Sequence, residues 1–140
     1  MNQKTIVLLS CVSQKLPLPA RAGDLYVSAL FRKALRYAKS LSPDAIYVLS
    51  AKHGLLALDQ VVAPYNLTLN QLGIAEVRSW AETTTAQLEA VTNLAIDRFI
   101  ILAGDRYRRF IVPRLRFTEI PLKGLSIGKQ LQFLTKAIHE

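Results

Sequence analysis

The sequence predicts an α/β fold of three layers, in which a small parallel sheet lies between helices. Short β-branched apolar runs occur at 5–10, 45–50 and 98–104, and apolar residues between them recur at helical spacing. Such runs are typical of strands buried on both faces, and strands that alternate with helices form parallel sheets. We therefore expect one domain over 1–140, with four parallel strands in the order 2-1-3-4, numbered along the chain.

The individual elements follow from this pattern and from the Gly and Pro residues that interrupt it. A first helix is predicted to begin at Asp24, which is a candidate N-cap. The threonine run at 83–85 is a point where the helix predicted over 70–95 could break in two. TEIPL predicts the fourth strand, and the predicted order is strand 5–10, helix from 24, strand 45–50, helix 70–95, strand 98–104, strand 118–122 and helix 126–139.

The composition favours a cytoplasmic protein without membrane contact. The single cysteine, Cys11, excludes an internal disulfide, and a reducing compartment is the default for such a chain. No apolar run approaches the ~20 residues that a membrane-spanning helix requires. The N-terminal MNQKTIVLLSC has an apolar stretch shorter than the ~7–15 residues of a signal peptide, and we interpret it as the first strand.

The charge distribution favours a polyanionic partner. The net charge is +8, and residues 98–140 hold nine basic and three acidic residues, so this segment carries +6. A basic segment attracts nucleic acid, and we expect DNA rather than RNA, or a nucleotide, although a solvated basic surface is the alternative. The candidate nucleic-acid contacts are Arg106, Arg108, Arg109, Lys123 and Lys129.

Polar residues follow each predicted strand at the point where it ends. The carboxyl ends of parallel strands meet at one edge of a sheet, and ligands bind there. We therefore expect these residues to form one site, although loops after strands are usually polar in any case. The candidates are Ser10, Cys11, Ser13 and Lys15 after strand one, Ser50, Lys52, His53 and Gly54 after strand two, Gly104, Asp105, Arg106 and Tyr107 after strand three, and Lys123, Gly124 and Ser126 after strand four.

Some of these side chains have a possible catalytic role. His53 suits proton transfer near neutral pH, or it is a loop histidine bound to a backbone carbonyl. Asp24 and Asp59 are the acids best placed to orient a water or a ribose hydroxyl, which makes Asp24, His53 and Asp59 the candidate catalytic residues. Cys11 is either a half-buried structural thiol or a nucleophile.

Aromatic and cofactor-related features complete the list of candidates. Tyr26 and Tyr65 could stack on a base, or they could lie at the edge of the core. His53 and His139 are the two histidines, so a site with several histidine ligands for zinc is excluded. The segment GLSIGKQ departs from the phosphate loop in glycine spacing and in Gln130. We predict neither a metal nor an organic cofactor.

Three segments resemble a bacterial and phage domain family of unknown function. They are LSCVSQK, AGDLYVSALFRKAL and YVLSAKHGLLALDQVVAPYNLTL. The third is also similar to the corresponding segment of the YaaA peroxide-stress family. Both families look related to the uracil-DNA glycosylase-like α/β fold, which is also seen in domains of archaeal tRNA-guanine modification enzymes.

The resemblance implies a four-stranded parallel sheet and a role near nucleic-acid bases. The Asp-Pro-Tyr motif with which glycosylases activate water is absent, because strand one leads into Ser-Cys-Val-Ser-Gln-Lys. The resemblance therefore does not imply base-excision chemistry. The residues it implicates are Ser10, Cys11, Lys15, Asp24, Tyr26, Ser28, Ser50, Lys52, His53, Gly54, Asp59, Pro64 and Tyr65.

These observations predict a protein that processes a nucleoside or a nucleic-acid base, with cleavage or exchange of an N-glycosidic bond as the expected reaction. Asp24 or Asp59 would stabilise positive charge on the sugar or position water, and His53 would assist the departing base. The alternatives are a non-catalytic DNA- or RNA-binding module in DNA repair, stress response or phage defence, and a small-nucleotide binder.

Overall fold

The computed structural model describes residues 2–10 and 15–138 and has a mostly parallel sheet at its centre. The strands are β1 (Thr5–Ser10), β2 (Ala20–Arg21), β3 (Ala45–Ser50), β4 (Gly54–Ala57), β5 (Val61–Val62), β6 (Arg98–Leu102) and β7 (Phe117–Glu119). The helices are α1 (Ala22–Leu25), α2 (Ala29–Ser40), α3 (Ile74–Val91), α4 (Asp105–Arg108) and α5 (Ile127–Ile138), with 3-10 turns at Leu69–Gln71 and Val112–Arg114.

The central sheet has five strands in the order β4-β3-β1-β6-β7. β1, β3, β6 and β7 are parallel, whereas β4 pairs antiparallel with β3 at one edge. The prediction of four strands, all parallel, is therefore wrong. The chain turns back directly after β3, and β4 pairs with the strand it has just left. β2 and β5 form a separate antiparallel pair.

β1 is the centre of the fold because it contributes to both cores. Val7 and Leu9 pack on one face of the sheet, against α1, α2 and α5. Ile6 and Leu8 pack on the other face, against α3 and α4. A strand alternates its side chains between faces, and an apolar run with no polar interruption therefore fills two cores at once. Among the described residues, no helix is both long and apolar enough to cross a membrane.

The first helical region begins differently from the prediction. α2 begins at Ala29, and Ser28 is its N-cap, with Ser28 Oγ accepting the Phe31 N–H at 3.2 Å. Asp24 lies within the short α1 and caps no helix. The two helices are separate because Tyr26 takes an extended conformation and pairs with Lys15 in an antiparallel bridge.

The other elements differ from prediction mainly at their ends. α3 is continuous from Ile74 to Val91, since Thr84 and Thr85 are buried and Thr84 Oγ1 donates to the Trp80 carbonyl one turn earlier. The threonine run thus causes no break. β6 ends at Leu102 rather than at residue 104, and β7 covers 117–119 rather than 118–122.

Gly54 and Gln87 determine the turn between β3 and β4. Gly54 has φ +75°, a conformation that residues with a Cβ rarely adopt. Gln87 of α3 holds the same turn, because its Oε1 accepts the Leu55 N–H at 2.9 Å and its Nε2 donates to the His53 carbonyl at 3.2 Å. A Cβ on Gly54 would overlap Gln87 Oε1. The loop that carries His53 is thus fixed from two sides.

We predict that Gly54→Ala lowers the free energy of unfolding by about 2–4 kcal/mol. About 1–2 kcal/mol comes from the left-handed backbone, and the rest from displacement of Gln87 from its two hydrogen bonds. Gly124→Ala is the matched control, because Gly124 has φ +80° and a Cβ there would meet no atom within 4 Å. Urea unfolding of both variants measures the difference in stability. Equal losses of stability would show that the hydrogen bonds of Gln87 do not stabilise this turn.

Candidate functional site

A crevice opens at the carboxyl end of the sheet, between β1 and β6. The chain leaves β1 toward α2 on one face and reaches β6 from α3 on the other, so the connections diverge at this point. Open α/β sheets bind ligands at such a divergence. The crevice has a volume of about 500 Å³, within the range of small-molecule sites. It is large enough to hold a compound of nucleoside size.

The walls of the crevice are mainly apolar. α2 contributes Leu30 and Phe31, and α5 contributes Ile127 and Leu131. Apolar walls with a few polar groups are typical of sites that bind small molecules. The polar side chains that line the crevice are Ser10, Ser28, Asn70, Asp105, Arg106, Arg108 and Gln130.

Ser10 and Gly104 join the ends of β1 and β6 beside the crevice. The Gly104 N–H donates to Ser10 Oγ at 3.4 Å, a long contact. A Cβ on Gly104 would meet nothing within 4 Å. A ligand in the crevice can therefore approach the backbone of Gly104 closely.

On the other side of β1, three buried side chains form a group that we call the hydroxyl cluster (Tyr26, Ser50 and Tyr65). Ser50 Oγ donates to Tyr65 Oη at 2.7 Å, and the two tyrosine hydroxyls are 2.6 Å apart. Ser50 Oγ also accepts the His53 N–H at 3.1 Å. The cluster thus connects the end of β3 with two segments that are distant from it in sequence.

Lys15 brings a positive charge to the hydroxyl cluster. Its Nζ lies 4.4 Å from the ring centre of Tyr65 and 5.6 Å from that of Tyr26. A cation over the face of a tyrosine is attracted by the negative face of the ring. Four of the predicted side chains, on three segments of the chain, therefore meet in one polar group.

The hydroxyl cluster and the crevice share a wall. The rings of Tyr26 and Phe31 have centroids 5.0 Å apart, and Phe31 lines the crevice. Ser10 stands opposite Leu49 in the β1–β3 ladder, one residue from Ser50. Both features therefore lie at the carboxyl end of the sheet, on the two sides of β1.

The chain matches one known protein family over most of its length. A family model matches residues 6–136, a range that contains the crevice, the hydroxyl cluster and His53. The chain belongs to DUF6884, a family of unknown function. Among curated proteins, none matches this chain. Membership of DUF6884 therefore assigns no activity, and the site has to be interpreted from its own chemistry.

His53 of this DUF6884 protein packs against the hydroxyl cluster. Its half-buried ring meets the ring of Tyr65 edge to face, with centroids 5.6 Å apart. Burial lowers the pKa of His53 below its ordinary value, and the positive charge of Lys52 lowers this pKa further. The imidazole is therefore neutral near pH 7, with one nitrogen that donates and one that accepts a hydrogen bond. In this state it suits a general base.

The two predicted catalytic carboxylates do not line the crevice. Asp24 is exposed on α1, and Asp59 is exposed in the turn after β4. β4 runs antiparallel to β3 and has Ala57 opposite Tyr47. The chain has therefore moved roughly 10 Å from the carboxyl end of β3 before it reaches Asp59. Tyr65 does return to that end, as its contacts in the hydroxyl cluster show.

The remaining predicted residues have varied positions. Ser28 lines the crevice, although its Oγ is used to cap α2. Lys52 is exposed beside His53, and Pro64 is half-buried beside Tyr65. Cys11 and Ser13 lie outside the described residues, so their predicted roles stay predictions.

The three arginines predicted to contact nucleic acid are partly engaged within the protein. Arg106 Nη1 donates to the Leu72 carbonyl at 3.0 Å. Arg108 Nη1 donates to the Ala103 carbonyl at 2.7 Å, and Arg109 pairs with Asp105 at 2.5 Å. A guanidinium has further N–H groups, so Arg106 and Arg108 can still donate to a ligand in the crevice. The predicted lysines, Lys123 and Lys129, are exposed.

Two polar residues of the crevice were not expected from the sequence: Asn70 and Gln130. Asp105 was expected at this edge, because it follows β6 within three residues at the strand divergence, but it was not given a catalytic role. Asn70 and Gln130 had no such signal, because they reach the crevice from the 3-10 turn before α3 and from α5. Among the described residues, no group of three or more His, Cys, Asp or Glu side chains could hold a metal ion.

We predict that Tyr65→Phe lowers the free energy of unfolding by about 1–3 kcal/mol, because it leaves buried hydroxyls without a partner. Tyr47→Phe is the control, since Tyr47 is a half-buried tyrosine of β3 outside the cluster, and we expect a change within about 0.5 kcal/mol. A double-mutant cycle with Ser50→Ala should give a coupling of about 1 kcal/mol by urea unfolding. Additive losses would contradict the Ser50–Tyr65 bond.

We also predict that NMR titration of His53 gives a midpoint below about 6.5. The unfolded chain then binds a proton at higher pH than the folded chain does, so the contribution of His53 to stability is present above about pH 6.5 and lost as the pH falls. Lys52→Gln should move the midpoint up, only part of the way, because burial is the larger cause. Comparison with His53→Gln assigns the signal, and a wild-type midpoint at or above 6.5 would contradict the burial of this ring.

Proposed function

We propose that this protein binds a nucleoside, or a base within nucleic acid, in the crevice and cleaves or exchanges its N-glycosidic bond. The observation that supports this proposal best is the crevice itself, which combines nucleoside size, apolar walls and the carboxylate of Asp105 at the strand divergence. The hydroxyl cluster and the neutral imidazole of His53 lie on the other side of β1.

The reaction needs a group that stabilises charge on the sugar. When the bond between the sugar carbon and the base nitrogen breaks, its electron pair leaves with the base and positive charge develops on the sugar. A carboxylate that is already in place stabilises this charge without reorganisation. In the proposal Asp105 has this role, because it lines the crevice and its pairing with Arg109 holds it in position. Asp24 and Asp59 lie outside the crevice and are less suitable.

Recognition of the base would come from α2 and α5. The ring of the base would pack between Phe31 and Leu131. Gln130 Nε2 donates to the Leu125 carbonyl at 2.9 Å, so Gln130 Oε1 is left to accept a hydrogen bond from the edge of the base. His53 is not among the residues that line the crevice, so in this proposal the proton of the attacking water passes to the departing base.

The proposal is consistent with the sequence resemblance. We propose a distant relationship to the YaaA family and to the uracil-DNA glycosylase-like fold, supported by the motifs in the first three segments and by the adjacency of β3, β1, β6 and β7 as parallel strands. We further propose a cytoplasmic location, which the single cysteine favours.

A second candidate function is nucleic-acid binding without catalysis. It is favoured by Arg106 and Arg108 at the crevice and by the +6 charge of residues 98–140. Binding of oligonucleotides without any release of free base, over a broad set of nucleosides and oligonucleotides, would favour this function over the first.

We predict that the wild-type protein releases free base from at least one member of a panel of nucleosides, nucleotides and oligonucleotides, measured by liquid chromatography. Asp105→Asn should lower the turnover of that substrate by about 100-fold or more, because it removes the charge that faces the sugar. The midpoint of thermal unfolding should change little, since the Asp105–Arg109 pair is exposed and such pairs contribute about 0–1 kcal/mol.

Glu89→Gln is the matched control, because it removes an exposed carboxylate of α3 far from the crevice lining. Asp24→Asn and Asp59→Asn test the two carboxylates that the sequence suggested as catalytic. Full turnover in Asp105→Asn, together with a large loss of turnover in either of these two variants, would show that the reaction does not take place in the crevice.

A further inference from the structure

Two of the helices on one face of the sheet, α2 and α5, contain basic residues and no acid. α2 has the sequence ALFRKALRYAKS and contains four basic residues and no acid. α5 has the sequence IGKQLQFLTKAI and contains two basic residues and no acid. On the opposite face, α3 contains three glutamates and one arginine. With Asp24 of α1 and the charges of α4 included, the helix layers carry +5 and −1 on the two faces of the sheet.

Most of this positive charge is exposed and has no carboxylate partner within residues 2–10 and 15–138. The salt bridges among the described residues are Arg98–Glu119 and Arg109–Asp105, and neither involves α2 or α5. The arginines of α4, in contrast, are engaged with backbone carbonyls or Asp105. The exposed cations of the two helices are Arg32, Arg36, Lys39, Lys129 and Lys136.

The same two helices carry an aromatic pair between them. The rings of Tyr37 and Phe133 meet edge to face with centroids 5.9 Å apart, and Phe133 is 37% exposed. Lys33 Nζ donates to Thr135 Oγ1 at 2.7 Å and joins α2 to α5 close to this pair. Basic groups around exposed aromatic rings are typical of surfaces that bind single-stranded nucleic acid, where bases stack and phosphates meet cations.

We infer that the exposed face of α2 and α5, which we call the basic face, binds a single strand of nucleic acid. The phosphates contact the five exposed cations, and an unpaired base stacks on Phe133. The face adjoins the crevice, because residues near the start of both helices, among them Phe31 and Leu131, line it. A strand bound here leads one of its bases toward the crevice. In this last respect the inference rests on the proposed function, which it extends to a polymeric substrate.

A nucleic acid fits this surface better than the other polyanions do. The cations extend along about 10 Å of each helix, since Arg32 and Lys39 are seven positions apart, as are Lys129 and Lys136. A membrane-binding face would carry a band of large apolar residues beside its cations. Here the exposed large apolar groups of the two helices are Phe133 and Ile127, and Ile127 belongs to the crevice.

The test is the binding of an oligothymidylate of about 15 nucleotides to the full chain, followed by fluorescence anisotropy. Five phosphate contacts to a single strand give a slope of about −3.5 for log affinity against log salt, so affinity should fall roughly 100-fold between about 50 and 200 mM salt. Removal of three cations by Arg32→Gln, Arg36→Gln and Lys39→Gln should lower the affinity roughly 100-fold at about 0.1 M salt and bring the slope to about −1.4.

A control with the same change in net charge replaces exposed cations outside the two helices: Lys4→Gln, Arg78→Gln and Arg114→Gln. This variant should keep the affinity within a few-fold of wild type. An equal loss in the two triple variants would overturn the inference, since it would show attraction by net charge alone. Equal competition by polyglutamate of the same charge, or binding to phosphatidylserine vesicles in place of the oligonucleotide, would also overturn it.

The aromatic contact and the crevice are tested separately. Phe133→Leu should weaken oligothymidylate binding at least about five-fold with no change in the salt slope, because stacking is lost and the ionic contacts remain. An unchanged affinity would show that no base stacks on Phe133. The triple helix variant should keep turnover of a free nucleoside while its affinity for the oligonucleotide falls, so failure of the basic face and failure of the proposed reaction give different results.

Discussion

The hydroxyl of Ser50 is the contact on which the candidate site depends. It donates to Tyr65, accepts the N–H of His53, and lies in a residue whose carbonyl accepts the Trp80 indole N–H of α3 at 2.9 Å. One buried residue at the end of β3 therefore fixes the loop with His53, the segment that returns from β5, and a helix on the far face. Because Ser50 is 1% exposed, water cannot replace these bonds if a partner is removed. The position of His53 relative to β1 follows from this arrangement.

The strands were predictable where a short run of residues determines them. β1 and β3 have the predicted bounds, because a strand buried on both faces needs an uninterrupted apolar run and few other structures use one. β4 was not predictable in the same way. Its pairing depends on the positive φ of Gly54 and on Gln87, which is 32 residues away from Leu55 in the sequence. The start of α2 was missed for a similar reason, since the pairing of Tyr26 with Lys15 keeps Asp24 out of it.

The site was predictable as a set of residues at strand ends, but the contacts among them were not. Tyr26 and Tyr65 were interpreted as stacking groups or core edges, whereas the structure joins their hydroxyls inside the protein. The arginines after β6 were expected to face a ligand, and the structure uses part of each guanidinium for backbone carbonyls or for Asp105. Sequence gives the number of charges, but their availability depends on acceptors that only the folded chain brings near.

The unequal charge of the two helix layers has a consequence for the rate of encounter. A layer of +5 and a layer of −1 on opposite faces of one sheet give the helices an electric dipole across the sheet. An approaching polyanion exerts a torque on such a dipole and turns the face of α2 and α5 toward itself before contact. Orientation of this kind raises the fraction of productive collisions at low ionic strength, and it weakens when the Debye length falls below the size of the protein. The helix pattern thus influences association kinetics as well as affinity.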